Sequence, residues 1–486
     1  MNSTQQPTQS TDKWATLFLV CWGVFILGSH VLSAGPYSVD LAELTLCAWN
    51  GGVPHSPGYP LWTRLGELVL GLQNGADPIH ALGRLGVLFV ILSSVITKDF
   101  LQRLGVGIWA ATGAAGLLMV VPLCIRAFSI PEVYALDILL LSTTIWCNQR
   151  GHTEDHNGWT ALGVVTAVLA IGHRPINVVL LLMVGIAWPH FRKRSKGLAI
   201  GLGLGLVMQG LLYLDLWNRI HNPATAWVDE HALPSVEGFL RFVVGLPFEK
   251  FFIWVPADAH VFERPLQLGL QVTVLVFATL LAPLVFASRR VGWMFLVMAG
   301  WHLLFIAIYR VADREFLFLP LIWMGVVCVG LTIQILSRRY QTHIGKAFLV
   351  GAFLFSIINE RGLVKTGHEQ WRQDLRLALS SVPENAIVLS DDWPARTGLT
   401  LIRELDGVGE EVDVVRISLE GGDIQRLDEW FDKKAPLVLL EERNEISAIR
   451  PIRVHDRRLI PLLIERGLVT SPAEGGTWSV VKSSTE

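Results

Sequence analysis

Residues 35–62 read GPYSVDLAELTLCAWNGGVPHSPGYPLW and stand between one apolar run, residues 14–33, and a long series of others. Asp40 and Glu43 lie just beyond the end of that first run, three residues apart. Residues 39–49 have a helical pattern, and an i,i+3 spacing sets both carboxylates on one helix face. A turn-rich run follows, Gly51-Gly52-Val53-Pro54-His55-Ser56-Pro57-Gly58-Tyr59-Pro60, with two aromatic anchors, Tyr59 and Trp62. Paired carboxylates where a membrane segment meets water suit a general base and its partner. They equally suit solvated acids at a helix end, so the wider chain has to separate the two.

Composition sets the class. Of 486 residues 51% are hydrophobic and 17% charged, with a mean hydropathy of +0.45, which is too apolar for a soluble globular protein and fits a polytopic membrane protein. A formal net charge of -2 and the lack of a basic stripe exclude nucleic acid as a partner. Cys21, Cys47, Cys124, Cys147 and Cys328 are scattered without CxxC or Cys/His ligand spacing, so neither a zinc site nor a disulfide framework is indicated. The 18 tryptophans suit interfacial belts as well as sugar stacking. Leu32-Ser33-Ala34 loosely resembles a processing site, but Leu32 is poor there and the preceding run is long for a signal core, so the first segment is expected to be an anchor.

Runs of spanning length fall near 14–34, 79–97, 106–124, 128–148, 157–172, 176–190, 197–217, 266–287, 292–309, 315–336 and 345–358, about eleven spans. A cytoplasmic N-terminus puts Lys98, Arg103, Arg192 to Arg194, Lys196, Arg289, Arg290, Arg338, Arg339 and Lys346 all inside, as the positive-inside rule asks. From about residue 359 charged residues become frequent, and β-rich runs near 386–389, 413–419, 436–440 and 477–481 alternate with helical stretches at 371–380 and 423–431. The expected architecture is an α-helical polytopic membrane domain, residues 1–358, followed by a small extracytoplasmic α/β domain, residues 359–486.

Polar residues at membrane depth collect at the outer ends of the spans. They are Asp40 and Glu43; Arg126 with the run from Phe128 to Asp137; His173 and Arg174; and the run from Tyr309 to Glu315. An ionisable group against the bilayer costs about 2.5–3.5 kcal/mol on insertion scales, so such groups pair or serve function. Acids and arginines converging on one face suit an anionic, lipid-linked substrate, because Arg grips phosphate bidentately and a carboxylate takes a proton from a hydroxyl. Each member also has a plainer reading. Arg126 can snorkel, Asp313 can pair structurally with Arg310 or Arg314, and Glu132 can cap the span it precedes. His173 reads as a packing residue rather than a metal ligand, and His55 stays open.

Taken together the residues resemble a bacterial and animal family of polytopic proteins that includes an endoplasmic-reticulum protein O-mannosyltransferase, within the GT-C superfamily of lipid-phosphate-sugar glycosyltransferases. The family's Asp-x-Gly-Glu element is matched by Asp40-Leu41-Ala42-Glu43, and its His-Pro-Pro-Gly-Tyr-Pro loop by His55-Ser56-Pro57-Gly58-Tyr59-Pro60. The family's Glu-Val-Tyr-Ala-Leu run is matched by residues 132–136, which include Glu132 and Tyr134. Gly172-His173-Arg174 and the segment holding Tyr309, Asp313, Glu315 and Pro320 complete the match. Ala42 and Ser56 depart from the pattern, replacing a glycine and a proline.

The resemblance implies an inverting glycosyltransferase that takes a polyprenyl-phosphate-linked sugar from the membrane and an acceptor (protein, glycan or lipid) from the extracytoplasmic side. Asp40 is then the base and Glu43 its partner; Arg126, Arg174 and Arg314 are candidates for the lipid phosphate; Tyr59 and Trp62 shape the sugar pocket. His55, Glu132, Tyr134, His173, Tyr309 and Asp313 join the expected substrate-binding set. No metal ligand is assigned, and a divalent metal stays open because metal dependence varies within the superfamily. The membrane is expected to be the bacterial plasma membrane. A transporter would instead need mid-span charges and an inverted repeat. A non-catalytic anchor would leave the acids and the Pro-Gly-Tyr-Pro loop without a role.

Overall fold

The computed structural model describes residues 9–31, 40–73, 75–181, 194–222, 224–225, 227–229, 231–247, 252, 270–286, 289–309, 314–336, 341–362, 368–380, 387–390, 393–408, 411, 413–416, 437–440, 468–472 and 477–482. Its α-helices are α1 (Gln9–His30), α2 (Leu41–Asn50), α3 (Pro60–Leu72), α4 (Pro78–Arg103), α5 (Ile108–Gly116), α6 (Pro122–Phe128), α7 (Tyr134–Thr153) and α8 (Asn157–His173). They continue with α9 (Ser195–His221), α10 (Val236–Val243), α11 (Leu270–Thr279), α12 (Ala282–Val285), α13 (Arg289–Ile308), α14 (Leu319–Leu336), α15 (Gln341–Gly362), α16 (His368–Ser380) and α17 (Trp393–Asp406). The strands are β1 (Ile387–Ser390), β2 (Asp413–Arg416), β3 (Leu437–Leu440), β4 (Leu468–Pro472) and β5 (Thr477–Lys482). Two compact units emerge, Met1–Leu32 with Cys47–Val364 and Ser33–Leu46 with Lys365–Glu486; the line between them cuts α2, which is one continuous helix.

In the first unit α4 begins where sequence chemistry says it should. Asp77 accepts hydrogen bonds from the backbone N–H groups of Ile79 and His80, and Pro78 fills the first helical position, where no N–H is needed. Near its far end Lys98 is buried, yet its ammonium is matched by Asp12 of α1 at 2.7 Å and by the Thr16 hydroxyl at 3.0 Å. The Gln102 amide donates to the same Asp12 carboxylate at 3.0 Å. This cluster ties α1 to α4. One helical stretch further along, Trp22 of α1 fills a notch that exists only because residue 116 is glycine, since a Cβ there would lie 2.0 Å from the indole.

Glycine sets helix spacing twice more. A Cβ at Gly325 of α14 would lie 2.1 Å from the Leu275 carbonyl oxygen of α11. On α9, Gly197, Gly201 and Gly205 recur every four residues and let its backbone approach Asn157, Ala161 and Val168 of α8, a small-residue seam of the kind membrane helices use. The innermost span is α14, whose Trp323 donates to the Thr97 hydroxyl of α4 at 2.9 Å and stacks against Phe100 and Phe295.

Among the described residues five helices are long and apolar enough to cross a membrane: Ser10–Gly28, Pro78–Arg103, Ser195–His221, Val291–Ile308 and Arg314–Leu336. Ile108–Met119 with Pro122–Phe128, bent by 62°, would make six. Several of the other expected spans differ for identifiable reasons. The run at 128–148 becomes α7, which carries Asp137, Asn148, Gln149 and Arg150; the run at 157–172 becomes the 17-residue α8. The run at 266–287 is interrupted between α11 and α12, next to Pro283. Most of the run at 176–190 lies outside the described residues.

The second unit contains a five-stranded sheet in the order β2-β1-β3-β5-β4, with β1 parallel to both β2 and β3 and the β3–β5 and β5–β4 pairs antiparallel. The sequence pattern had no counterpart for β4, and the helical stretch expected at 423–431 lies outside the described residues. Asp406, at the end of α17, accepts from Arg372 and Arg376 of α16. Burial alone would raise the Asp406 carboxyl, but the two guanidiniums outweigh it and hold its pKa at about 2, below the ordinary 3.8.

Two outcomes follow from this packing. Gly116→Val drives two methyl groups into the Trp22 ring and should destabilise the protein by about 1–3 kcal/mol, read as a lower melting temperature in detergent. Because the folded pKa of Asp406 is depressed, its contribution is complete above about pH 4 and is lost as pH falls toward about 2. Asp406→Asn should flatten that part of the stability profile.

Candidate active site

The Gly51–Pro60 turn is built from backbone that only special residues adopt readily. Gly51 and Gly58 have φ of +71° and +85°, and Tyr59 itself sits in the left-handed region at φ 39°, ψ 50°. A non-glycine residue there costs of the order of 1–3 kcal/mol, so its surroundings must hold it. Pro60 then opens α3, whose Thr63 donates from both N–H and hydroxyl to the Tyr59 carbonyl.

Held this way, Tyr59 brings its ring against two imidazoles. The His55 ring lies edge-on at 5.2 Å between centroids, with the Tyr59 hydroxyl 3.4 Å from Nε2, and the His173 ring lies edge-on at 5.6 Å. Nε2 of His173 donates to the Val133 carbonyl at 3.0 Å, and the Trp62 indole donates to the neighbouring Glu132 carbonyl at 3.1 Å. The Glu132 carboxylate, buried, accepts from the Val133 N–H at 3.1 Å. Residues that are 40 to 114 positions apart in sequence thus meet at one end of the bundle (His173 against Val133 and Tyr59).

Two of the three cationic members, Arg174 and Arg126, are each paired with an acid. Arg174 donates to Asp137 at 3.0 Å, and its guanidinium stands 4.9 Å over the Tyr134 ring. Asn177 also donates to Asp137, completing a buried cluster in which the acid is 2% exposed. Arg126 pairs with Glu315 at 3.2 Å and lies over Phe316, whose ring meets Tyr134 at 5.1 Å. Arg314 is committed differently: it is buried and donates to the carbonyls of Ile306 and Ala307, capping the C-terminal turn of α13. Tyr309 packs against Phe252 and Phe305, and Asp313 lies outside the described residues.

Asp40 immediately precedes α2, its carbonyl accepting the Leu44 N–H, and Glu43 lies fully buried in the first turn. One oxygen from each carboxylate and a ring nitrogen of His55 fall within 4.8 Å of one another, a group that could hold a metal ion. Two carboxylates and one imidazole are a donor set that suits a divalent cation with positions left for substrate or water. Sequence spacing hid this trio, because its members are separated by a turn and the His was read alone. Asn177 was not singled out, and Asp137 and Glu315 were named only as members of polar runs, without their partners. The signal that could have found Asp137 is a lone acid inside an apolar span, which needs a partner.

Comparison with known proteins places the chain among similar sequences and folds. Residues 40–199, which contain most of the site, match the family model described as the protein O-mannosyl-transferase TMEM260 N-terminal domain. The mouse (Mus musculus) protein O-mannosyl-transferase TMEM260 is 26% identical over 212 residues, 41% of this chain; the match spans 30% of that relative's length. Among solved structures, ArnT from Cupriavidus metallidurans bound to undecaprenyl phosphate superposes with a TM-score of 0.65 at 13% identity, covering 97% of this chain and 98% of that one. An Archaeoglobus fulgidus oligosaccharyltransferase, in complex with zinc and sulfate, superposes at 0.54 with 12% identity, covering 96% and 73%. At these identities the likeness is one of fold. The chain shares the fold of ArnT over nearly its whole length, and within residues 40–199 it resembles the O-mannosyl-transferase family.

The Arg174–Asp137 pair is open to direct test. Arg174→Met leaves the buried Asp137 carboxylate with the Asn177 amide and should cost about 3–5 kcal/mol in unfolding measurements. Adding Asp137→Asn to that variant should recover much of the loss.

Proposed function

We propose that the chain is a membrane glycosyltransferase that moves a sugar from a polyprenyl-phosphate carrier to an acceptor hydroxyl, with inversion at the anomeric carbon. The observation that carries this reading is the acid pair Asp40/Glu43 beside the His55–Tyr59–His173 row, within the segment that matches an O-mannosyltransferase family model. The whole-chain likeness to a structure that holds undecaprenyl phosphate supports the donor class.

On this reading the Asp40 carboxylate takes the proton of the acceptor hydroxyl as its oxygen attacks the anomeric carbon. The bond from that carbon to the phosphate oxygen breaks, and its electron pair leaves with the polyprenyl phosphate. Glu43 holds the acceptor or orients Asp40. Arg126 and Arg174 bind the phosphate, each exchanging part of its present contact with Glu315 or Asp137 for the charge of the donor. Arg314, buried against carbonyls, is the least suited of the three arginines for that task. Tyr59 and Trp62 wall the sugar. Asp40, Glu43 and His55 would hold a divalent cation, which when bound supplies positive charge to the departing phosphate. The protein would work in the bacterial plasma membrane with its N-terminus in the cytoplasm and its C-terminal domain outside.

Transfer from radiolabelled polyprenyl-phosphate sugars in proteoliposomes tests this directly. Asp40→Asn keeps the side-chain volume and removes the base, so transfer should fall by roughly 100-fold or more while the melting temperature holds. Glu43→Gln should lose less. Normal turnover by Asp40→Asn would overturn its assignment.

A further inference from the structure

Behind the His55 turn, α3 and α9 are joined by a closed ring of four charges. Arg64 and Glu67 come from α3, Asp215 and Arg219 from α9. Asp215 accepts from Arg64 Nε at 2.8 Å and from Arg219 Nε at 3.0 Å, while Glu67 faces Arg64 Nη1 at 2.6 Å and Arg219 Nη1 at 2.5 Å. Each acid meets both arginines, and the ring is neutral. Arg219 also reaches out of it, donating to the Gly52 carbonyl at 3.3 Å.

That contact is one of several by which the Arg219 end of α9 and the chain beyond it hold the turn. The Val53 N–H donates to the Trp227 carbonyl at 2.8 Å, and the Asp229 N–H returns to the Val53 carbonyl at 3.0 Å. The Ser56 hydroxyl donates to the Phe242 carbonyl. Val53 is fully buried in an apolar cluster with Leu216, Ile220 and Phe242, and a Cβ at Gly58 would press on Leu216 at 2.8 Å. The turn is therefore gripped from α9 on one side and presents His55 and Tyr59 on the other.

We infer that the Arg64–Glu67–Asp215–Arg219 ring is a positioning device for the His55 turn, with Arg219 as its key member. The inference rests on the reading that this turn belongs to a glycosyl-transfer site. Three of the ring members are a fifth to a half exposed, and exposed ion pairs add little to stability. Four charged side chains arranged in a closed loop specify geometry instead. Arg219, 11% exposed, is the one that links the ring to the turn, and its planar fork serves two carboxylates and a carbonyl at once.

The test compares the wild type with Arg219→Gln in proteoliposomes, with Asp215→Asn as a gentler second variant. Hydrogen exchange over residues 51–59 should quicken by about tenfold in Arg219→Gln and less in Asp215→Asn. Turnover should fall roughly 10- to 100-fold, because small displacements of a site cost that much. The KM for the polyprenyl-phosphate donor should stay within about twofold, since Arg126 and Arg174 are untouched. Unchanged exchange in the turn overturns the clamp. Faster exchange with unchanged turnover, or a lower melting temperature with unchanged turnover per folded molecule, overturns the positioning role. A wild type that transfers no sugar defeats the functional reading, while the exchange comparison still decides the clamp.

Discussion

A charge buried among apolar helices is tolerated only when another group answers it, and that constraint recurs through the helical unit of this molecule. At one end Lys98 is answered by Asp12, Thr16 and Gln102, which ties the first helix to the long α4. At the other, Asp137 is answered by Arg174 and Asn177, and Arg126 by Glu315. The same requirement does two jobs. Where the partners are complete and shielded, as at Lys98, they fix helix against helix. Where they lie together with aromatic rings, as Arg174–Asp137 and Arg126–Glu315 do around Tyr134 and Phe316, they gather polar groups from distant parts of the chain into one cluster.

Close packing makes the second arrangement possible. Gly116, Gly201 and Gly325 let helix backbones approach where no Cβ would fit, so the apolar body of the bundle is firm. A firm body can hold a residue such as Tyr59 in a left-handed conformation that it would leave if it were free. The strain is met from both sides: the Thr63 bonds and the helix start at Pro60 hold its backbone, and the two imidazoles hold its ring.

Much of the site was visible in the sequence because it is carried by local motifs. Asp40 and Glu43 one helical turn apart, and the His55-to-Pro60 turn, are short patterns whose chemistry can be named without knowing the fold. So can the collection of polar residues at span ends, which follows from hydropathy alone. What could not be read is pairing over distance. Arg126 meets Glu315 across 189 positions and Arg64 meets Asp215 across 151, and nothing local marks either pair. Arg314, whose motif put it among the candidates for the phosphate, donates to the carbonyls of Ile306 and Ala307 at the end of α13, a contact that no local pattern marks. Against the expected count of about eleven spans, five helices among the described residues are long and apolar enough to cross a membrane. A hydropathy run does not reveal that Pro283 stands where one helix stops, or that polar residues of α7 belong to a site.

The likeness to ArnT extends over nearly the whole chain at 13% identity, so the fold does not depend on any particular set of side chains. Function then has to be argued from the residues this chain retains at one end of that fold. The family-model match covers residues 40–199, and that segment holds the acids, the His55 turn, Arg126, Glu132, His173 and Arg174. The segments that steady those residues lie outside it, at Asp215, Arg219, Trp227 and Phe242. The candidate site and its backing thus come from different parts of the chain, joined by hydrogen bonds that run from the turn to residues beyond position 199.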